Sequence, residues 1–217
     1  MKNIISILIV AVTVFSQQAT AQVTQLELAS GFYKSRFSAF SIKPLNEKKT
    51  LSFSTLAFFQ KFHRREDFYF DETGVQATAY WNFSKAVSVG PSLYYNSIAG
   101  FSKKLSFLVF KGGQKFTFIA VPSIVHSDKT NNINGELFMQ LQFMQPIKND
   151  WNFLAYAQML TNWNKFSTHS RSFQQLRIGF TKNNNQFGVA ADFDEYGEKP
   201  ITKTTIGVFV RKVFIEK

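Results

Sequence analysis

The stretch "GVQATAYWNFSKAVSVGPSLYYN", residues 74–96, decides the fold. Its apolar and polar residues alternate on both sides of one break, residues 84–86, and Lys85 in that break is its only charge. Val75, Ala77, Ala79, Trp81 and Phe83 fall on one face of an extended chain, and Gln76, Thr78, Tyr80 and Asn82 on the other. The return strand continues both faces. Val87, Val89, Pro91, Leu93 and Tyr95 extend the apolar one, and Ser88, Gly90, Ser92, Tyr94 and Asn96 the polar one. Opposing Trp81 with Val89 and Tyr80 with Gly90 keeps like with like, as directly paired residues of an antiparallel ladder share a face. A soluble barrel also alternates, but it turns the apolar face inward and shows water a charged face. Here the polar face is neutral, so the apolar side is expected to face lipid and the polar side a lumen.

The pattern repeats along the chain. Asp, Glu, Lys and Arg are absent from the blocks 50–60, 73–84, 86–102, 116–127, 137–147 and 151–164. None is apolar enough for a membrane helix, yet each can cross a bilayer as a tilted strand of about 9 to 11 residues. Leu137, Met139, Leu141 and Phe143 alternate with Glu136, Gln140 and Gln142, and Phe187, Val189, Ala191 and Phe193 with Gly188, Asp192 and Asp194. "TLSFSTLAFFQ" (50–60) and "KKLSFLVF" (103–110) are apolar on both faces, which places some apolar side chains inside. Short connectors are expected at 43–49, 84–86, Gly112-Gly113, 146–150 and 182–185, the Gly-Gly pair as a two-residue turn with positive φ. Longer ones are expected at 63–72, 97–103, 127–134, 164–171 and 195–203. Short turns on one side and long loops on the other are the habit of outer-membrane barrels, whose tight turns are periplasmic.

Ten strands can be counted from residue 49 onward, and 25–32 and 37–42 supply two more, joined by residues 33–36. The expected fold is all-β, a closed antiparallel up-and-down transmembrane β-barrel of twelve strands. Ten strands with an N-terminal periplasmic or lumenal segment is the alternative, because bacterial single-chain barrels have even strand numbers. Pro91 and Pro122 fall in mid-strand and are expected to sit in bulges.

Composition agrees with export. Lys2, the apolar run over residues 4–15 and Ala19-Thr20-Ala21 form the three parts of a secretory signal peptide, residues 1–21, leaving a barrel domain of residues 22–217. There is no cysteine, hence no disulfide framework and no thiolate site. The 26 phenylalanines would demand a large core in a soluble chain, whereas a lipid-facing surface with aromatic girdles absorbs them. The net charge of +11 is not gathered into a stripe, which argues against nucleic acid and for anionic lipid head groups.

With these features the chain resembles small porin-like outer-membrane β-barrel proteins. "TIGVFVRKVF", residues 205–214, is similar to the last strand of that class, whose aromatic end the barrel-assembly machinery reads; Ile215, Glu216 and Lys217 follow it here.

Arg177 alternates with Leu176, Ile178 and Phe180 and is expected to point inward. If Thr181 pairs with Gln186, Arg177 stands opposite Ala190 and diagonal to Asp192. Arg177, Asp192, Asp194, Glu136 and Arg211 are therefore the lumen candidates, either as a charged constriction that selects solutes or as an internal salt bridge that fills the bore. Arg64 and Arg65 in "HRRED" and the pair Lys103-Lys104 are surface-loop candidates for lipopolysaccharide phosphates. His63, His126 and His169 are expected at the outer rim. Outer-membrane lipid A deacylases resemble this arrangement in placing His and Ser two apart, and Ser167 and His169 share that spacing in reverse order. No cofactor fingerprint, phosphate loop or metal spacing is present. The expected function is a narrow passive channel. A structural or accessory barrel binding lipopolysaccharide or another outer-membrane protein comes next, and a lipid-modifying enzyme third.

Overall fold

Twelve antiparallel strands follow one another and close on themselves in the computed structural model, which describes residues 23–215; the signal peptide expected at 1–21 lies outside them. In order they are β1 (Val23–Gly31), β2 (Lys34–Pro44), β3 (Leu51–Phe62), β4 (Glu72–Asn82), β5 (Val87–Asn96), β6 (Gly100–Gly112), β7 (Phe116–Ser127), β8 (Ile133–Pro146), β9 (Asn152–Asn164), β10 (Thr168–Lys182), β11 (Asn185–Tyr196) and β12 (Ile201–Ile215). Each pairs with its neighbours in sequence, and β1 pairs with β12. Closure leaves no unpaired edge, which is what a sheet surrounded by lipid requires. Val23 stands opposite Ile215, so both described ends lie on one rim, here the terminal rim; the other is the far rim.

The faces follow the period-two pattern. Trp81 opposes Val89, Thr181 opposes Gln186 and Arg177 opposes Ala190, as the alternation requires. Outward, Leu28, Leu93, Ile178, Val189, Ile206 and Val208 are all exposed, an apolar belt that suits lipid and not water. Aromatic residues border it at the terminal rim, where the Trp81 and Phe83 rings lie 5.0 Å apart and Trp151 packs edge-on against Phe180 and Phe187.

Several local expectations are corrected. The mid-strand prolines do not make bulges. Thr78↔Ser92 and Trp81↔Val89 share one register across Pro91, as do Ser106↔Ser123 and Val109↔Ala120 across Pro122. A proline N can donate no ladder bond, so pairing lapses there on one side, while the ladders to β6 and to β8 run on unbroken. The irregularity lies instead in β10, between His169 and Arg171. Neither Gly112 nor Gly113 has positive φ; that turn bends at Gln114 and Lys115, and the two-residue turn with positive φ is Asn183-Asn184, at 48° and 63°. Asn tolerates this region because its short polar side chain bonds locally.

The short-long rhythm of connectors does not survive either. On the terminal rim they are 45–50, 83–86, 113–115, 147–151 and 183–184; on the far rim, 32–33, 63–71, 97–99, 128–132, 165–167 and 197–200. Only 63–71 is long. The strands extend into segments assigned to loops, because backbone pairing continues past the residues whose side chains reach lipid.

Candidate functional site

The interior has two unlike walls. On β10, β11, β12, β1 and β2 seven inward side chains carry charge and, with Glu72 of β4 as an eighth, alternate in sign along one connected chain. Arg211 Nε lies 2.8 Å from Glu27 Oε2, and Glu27 Oε1 accepts from Arg177 Nη2 at 3.0 Å. Arg177 Nη1 donates to Asp192 Oδ1 at 2.6 Å. Lys34 Nζ sits 3.2 Å from Asp192 Oδ2 and 2.5 Å from Asp194 Oδ2. Arg171 Nη2 then bonds Asp194 Oδ1 at 2.7 Å and reaches Glu72 Oε2 at 3.3 Å. Arg177, at 0% exposure, and Asp194, at 1%, are the most enclosed of the set. Charges so placed persist only when paired, since an unpaired ion away from water neutralises or unfolds its surroundings.

Arg211–Glu27, Arg177–Asp192 and Arg171–Asp194 join neighbouring strands, and the other links are chords. Lys34 on β2 reaches β11, Arg177 on β10 reaches β1, and Arg171 on β10 meets Glu72 on β4, on the opposite side of the ring of twelve. Arg36, also on β2, crosses to lie 5.2 Å from the Phe173 ring on β10 and 5.3 Å from Phe58. Among these charges Ala29, Leu154, Tyr156, Ala190 and Phe209 pack together, the Ala29–Phe209 row lying on the far-rim side of the Glu27–Arg211 row and Ala190 level with Arg177. At the far mouth, connection 63–71 folds inward as a 3₁₀ helix, Arg65–Phe70. Its Phe70 ring packs 4.5 Å from Tyr196, its carbonyl accepts from Gln60 Nε2, and Asp67 pairs with Lys203.

The opposite wall carries a belt of short neutral side chains, with Glu72 and Lys104 as its inward charges towards the far rim. Thr78 and Ser92 hydroxyls are 2.8 Å apart, Ser92 and Ser106 3.5 Å, and Ser106 and Ser123 2.9 Å, a belt across β4 to β7. Gly90 belongs to this wall; a Cβ there would meet the Ala79 carbonyl oxygen at 2.0 Å. Beside the belt, inward-facing Gln76, Phe138, Gln140, Gln142 and Gln158 remain half-exposed within the closed wall. Three buried donors, Arg36 Nε, Arg171 Nε and Gln175 Nε2, have no protein partner among the described residues.

All five lumen candidates face inward. Arg177, Asp192, Asp194 and Arg211 belong to the connected chain, whereas Glu136 is apart from it, held by Lys104 at 2.7 Å. That pair corrects the assignment of Lys104: it is buried in the lumen with its ammonium 4.1 Å from the Tyr94 ring centroid. Lys103, its neighbour on β6, points outward and pairs with Asp128 at 3.3 Å. Arg64 lies over Tyr33 and Arg65 opens the 3₁₀ helix, both exposed at the far rim. Glu27, Lys34, Arg36, Glu72 and Arg171 were not singled out by the sequence. The connectors expected at 33–36, 63–72 and 164–171 take in Lys34, Arg36, Glu72 and Arg171, all of which lie in strands; Lys34 and Arg36 alternate with Ser35 and Phe37, and that parity is the available signal.

The histidines do lie at the far rim, but Ser167 does not meet His169: its hydroxyl donates to Asn164 O at 3.5 Å. The irregularity in β10 instead brings His169 Nε2 within 2.8 Å of Ser172 Oγ, with His169 Nδ1 2.6 Å from Gly197 O. That serine also donates to Thr161 Oγ1 at 2.9 Å, and it is buried. His63 bonds Ser35, and His126 bonds Asn131.

The barrel is similar to a solved structure of the NanC porin, with 7% identity, a TM-score of 0.50, and coverage of 90% of this chain and 99% of that one. A KdgM porin in complex with disordered oligogalacturonate aligns at 10% identity and a TM-score of 0.48, covering 88% of this chain and 99% of the other. No family model matches the chain, and no curated protein matches it by sequence. The likeness is one of fold: a porin-like β-barrel of the outer-membrane type.

Proposed function

We propose that the protein is exported through its N-terminal signal peptide, inserts in the outer membrane with the terminal rim towards the periplasm, and acts as a narrow passive channel for small solutes. One observation carries the channel: Gln76, Phe138, Gln140, Gln142 and Gln158 face inward yet stay half-exposed, so the interior is not filled along the neutral wall. The unpartnered donors Arg36 Nε, Arg171 Nε and Gln175 Nε2 add to it, because buried polar groups without a protein partner are met by water. A solute would pass between the Gln-lined wall and the charged chain, which narrows the bore and discriminates by charge. The one long connection, 63–71, lies on the far rim, which supports placing that rim outside. In this proposal Arg64, Arg65 and Lys103 meet lipopolysaccharide phosphates there, and the β12 strand ending near Phe214 is read by the barrel-assembly machinery.

A second reading, a closed accessory barrel, is favoured by the Arg171–Glu72 chord across the bore and by Phe70 in the far mouth. Planar-bilayer recording separates the two. Discrete conductance steps whose ion selectivity changes in Arg177→Glu support the channel. A silent bilayer from protein that still migrates differently unboiled and boiled favours the accessory barrel.

A further inference from the structure

The two rims differ in how they treat their charges. On the far rim the connections hold five basic residues against five acidic ones, and lysines at its strand ends are paired within the molecule: Lys61 with Asp71 at 2.5 Å, Lys103 with Asp128, and Lys203 with Asp67. On the terminal rim every turn carries or adjoins a lysine, namely Lys48, Lys85, Lys115, Lys148 and Lys182, and the connections contain only Glu47 and Asp150 as acids. Among the described residues none of these lysines lies within ion-pair distance of a carboxylate. Since the turns alternate with the strands around the whole circumference, the charge forms a closed collar. A single globular partner docks on one side of a barrel. A ring of like charge beside an apolar belt instead matches a planar anionic surface perpendicular to the barrel axis.

A second feature joins this collar. On the outer surface a groove of about 340 Å³ runs across β2, β1, β12 and β11. Phe37, Leu28, Val210 and Phe187 make one ladder row, with aromatic rings at the ends and aliphatic side chains between. The next row towards the terminal rim contains Leu26 and Lys212, so the groove ends at a cation. Lys182 and Lys212 are half-buried, their ammonium groups 5.1 Å from the Trp151 centroid and 6.0 Å from Phe214, as for lysines that lay their stems along apolar surface and lift the charge to an interface.

We infer that the terminal rim is a binding collar for anionic diacyl phospholipid, with phosphates on the turn lysines and one lipid held by an acyl chain in the Phe37–Phe187 groove and its phosphate on Lys212. This rests on the membrane orientation proposed above, and it adds a lipid contact on the rim opposite to Arg64 and Arg65.

Native mass spectrometry of the detergent-solubilised chain tests it, with phosphatidylglycerol and phosphatidylcholine of the same acyl chains, and lipid A, as probes. Phosphatidylglycerol is expected to be retained about tenfold over phosphatidylcholine at low salt, falling to about twofold when Lys48, Lys85, Lys115, Lys148, Lys182 and Lys212 are all replaced by Gln. Lys212→Gln alone should remove the last lipid lost on activation, and Arg64→Gln with Arg65→Gln should leave the preference unchanged. Equal retention of the two lipids, a preference that survives the lysine replacements, or one that follows Arg64 and Arg65 overturns the collar. Preferential retention of lipid A through the lysines also overturns it, by assigning that rim to the other leaflet. Gel migration of unboiled samples reports separately on the barrel: its loss in the wild type counts against the membrane barrel itself, and its persistence in each variant shows that the variant folds.

Discussion

The charged and the neutral wall of the lumen are built from the same backbone, yet they solve the interior in opposite ways. On β10 to β12, β1 and β2, long side chains reach across the bore, and Arg211, Arg177, Lys34 and Arg171 are each held by one or two carboxylates in an unbroken alternation from Arg211 to Glu72, while Arg36 lies between the Phe58 and Phe173 rings. On β4 to β7, a belt of Ser and Thr hydroxyls bonds within the wall and projects little, with Lys104 above it held by Glu136. The contrast teaches that the bore is set by side-chain length and charge pairing more than by strand number. Where the wall is charged the barrel is cross-braced, and beside the hydroxyl belt Gln76, Gln140 and Gln158 stay half-exposed.

The braced wall should respond most to substitution. Arg177→Ala leaves Glu27 and Asp192 without their shared cation, a loss of about 3–5 kcal/mol that urea titration in detergent micelles would show as an earlier midpoint. If Arg177→Ala unfolds no more easily than wild type, the wall is hydrated and the cross-brace is not structural. The outward side of the same strand region gives a control: Val208→Arg puts a charge in the apolar belt and should cost about 2–4 kcal/mol, measured the same way. A neutral result there would place β12 away from lipid. Glu72→Gln removes only the last chord, whose far mouth is less enclosed, and should cost about 1–2 kcal/mol while raising conductance. Ser106→Ala on the hydroxyl wall should change stability by less than about 1 kcal/mol.

The sequence made the ladder legible and the mouth illegible, for physical reasons. Period-two alternation against lipid fixes which residues share a face, and so Trp81↔Val89 and Arg177↔Ala190 followed from polarity alone. Alternation weakens near the rims, where both faces meet water and charge is tolerated on either. Lys34, Arg36 and Arg171 sit there, and polarity could not distinguish a strand end from a loop. Lys103 and Lys104 show the same ambiguity in one dipeptide: parity with Ser102 and Ser106 assigns Lys104 to the lumen, while composition treats the two alike. Chords such as Arg171–Glu72 join residues 99 positions apart, and no local pattern signals them. The inward fold of Phe70 is likewise a product of tertiary packing, since exposed and buried aromatics look the same in the string.

The most direct test of the account is thiol accessibility during single-channel recording, which is clean because the chain has no cysteine of its own. Gln140→Cys stands on the neutral wall and Ala190→Cys on the braced one, buried at 7% exposure. A small charged thiol reagent added to an open channel is expected to block Gln140→Cys and to leave Ala190→Cys unchanged. Block at Ala190→Cys with none at Gln140→Cys, or no conductance from either folded protein, would contradict a passage along the neutral wall.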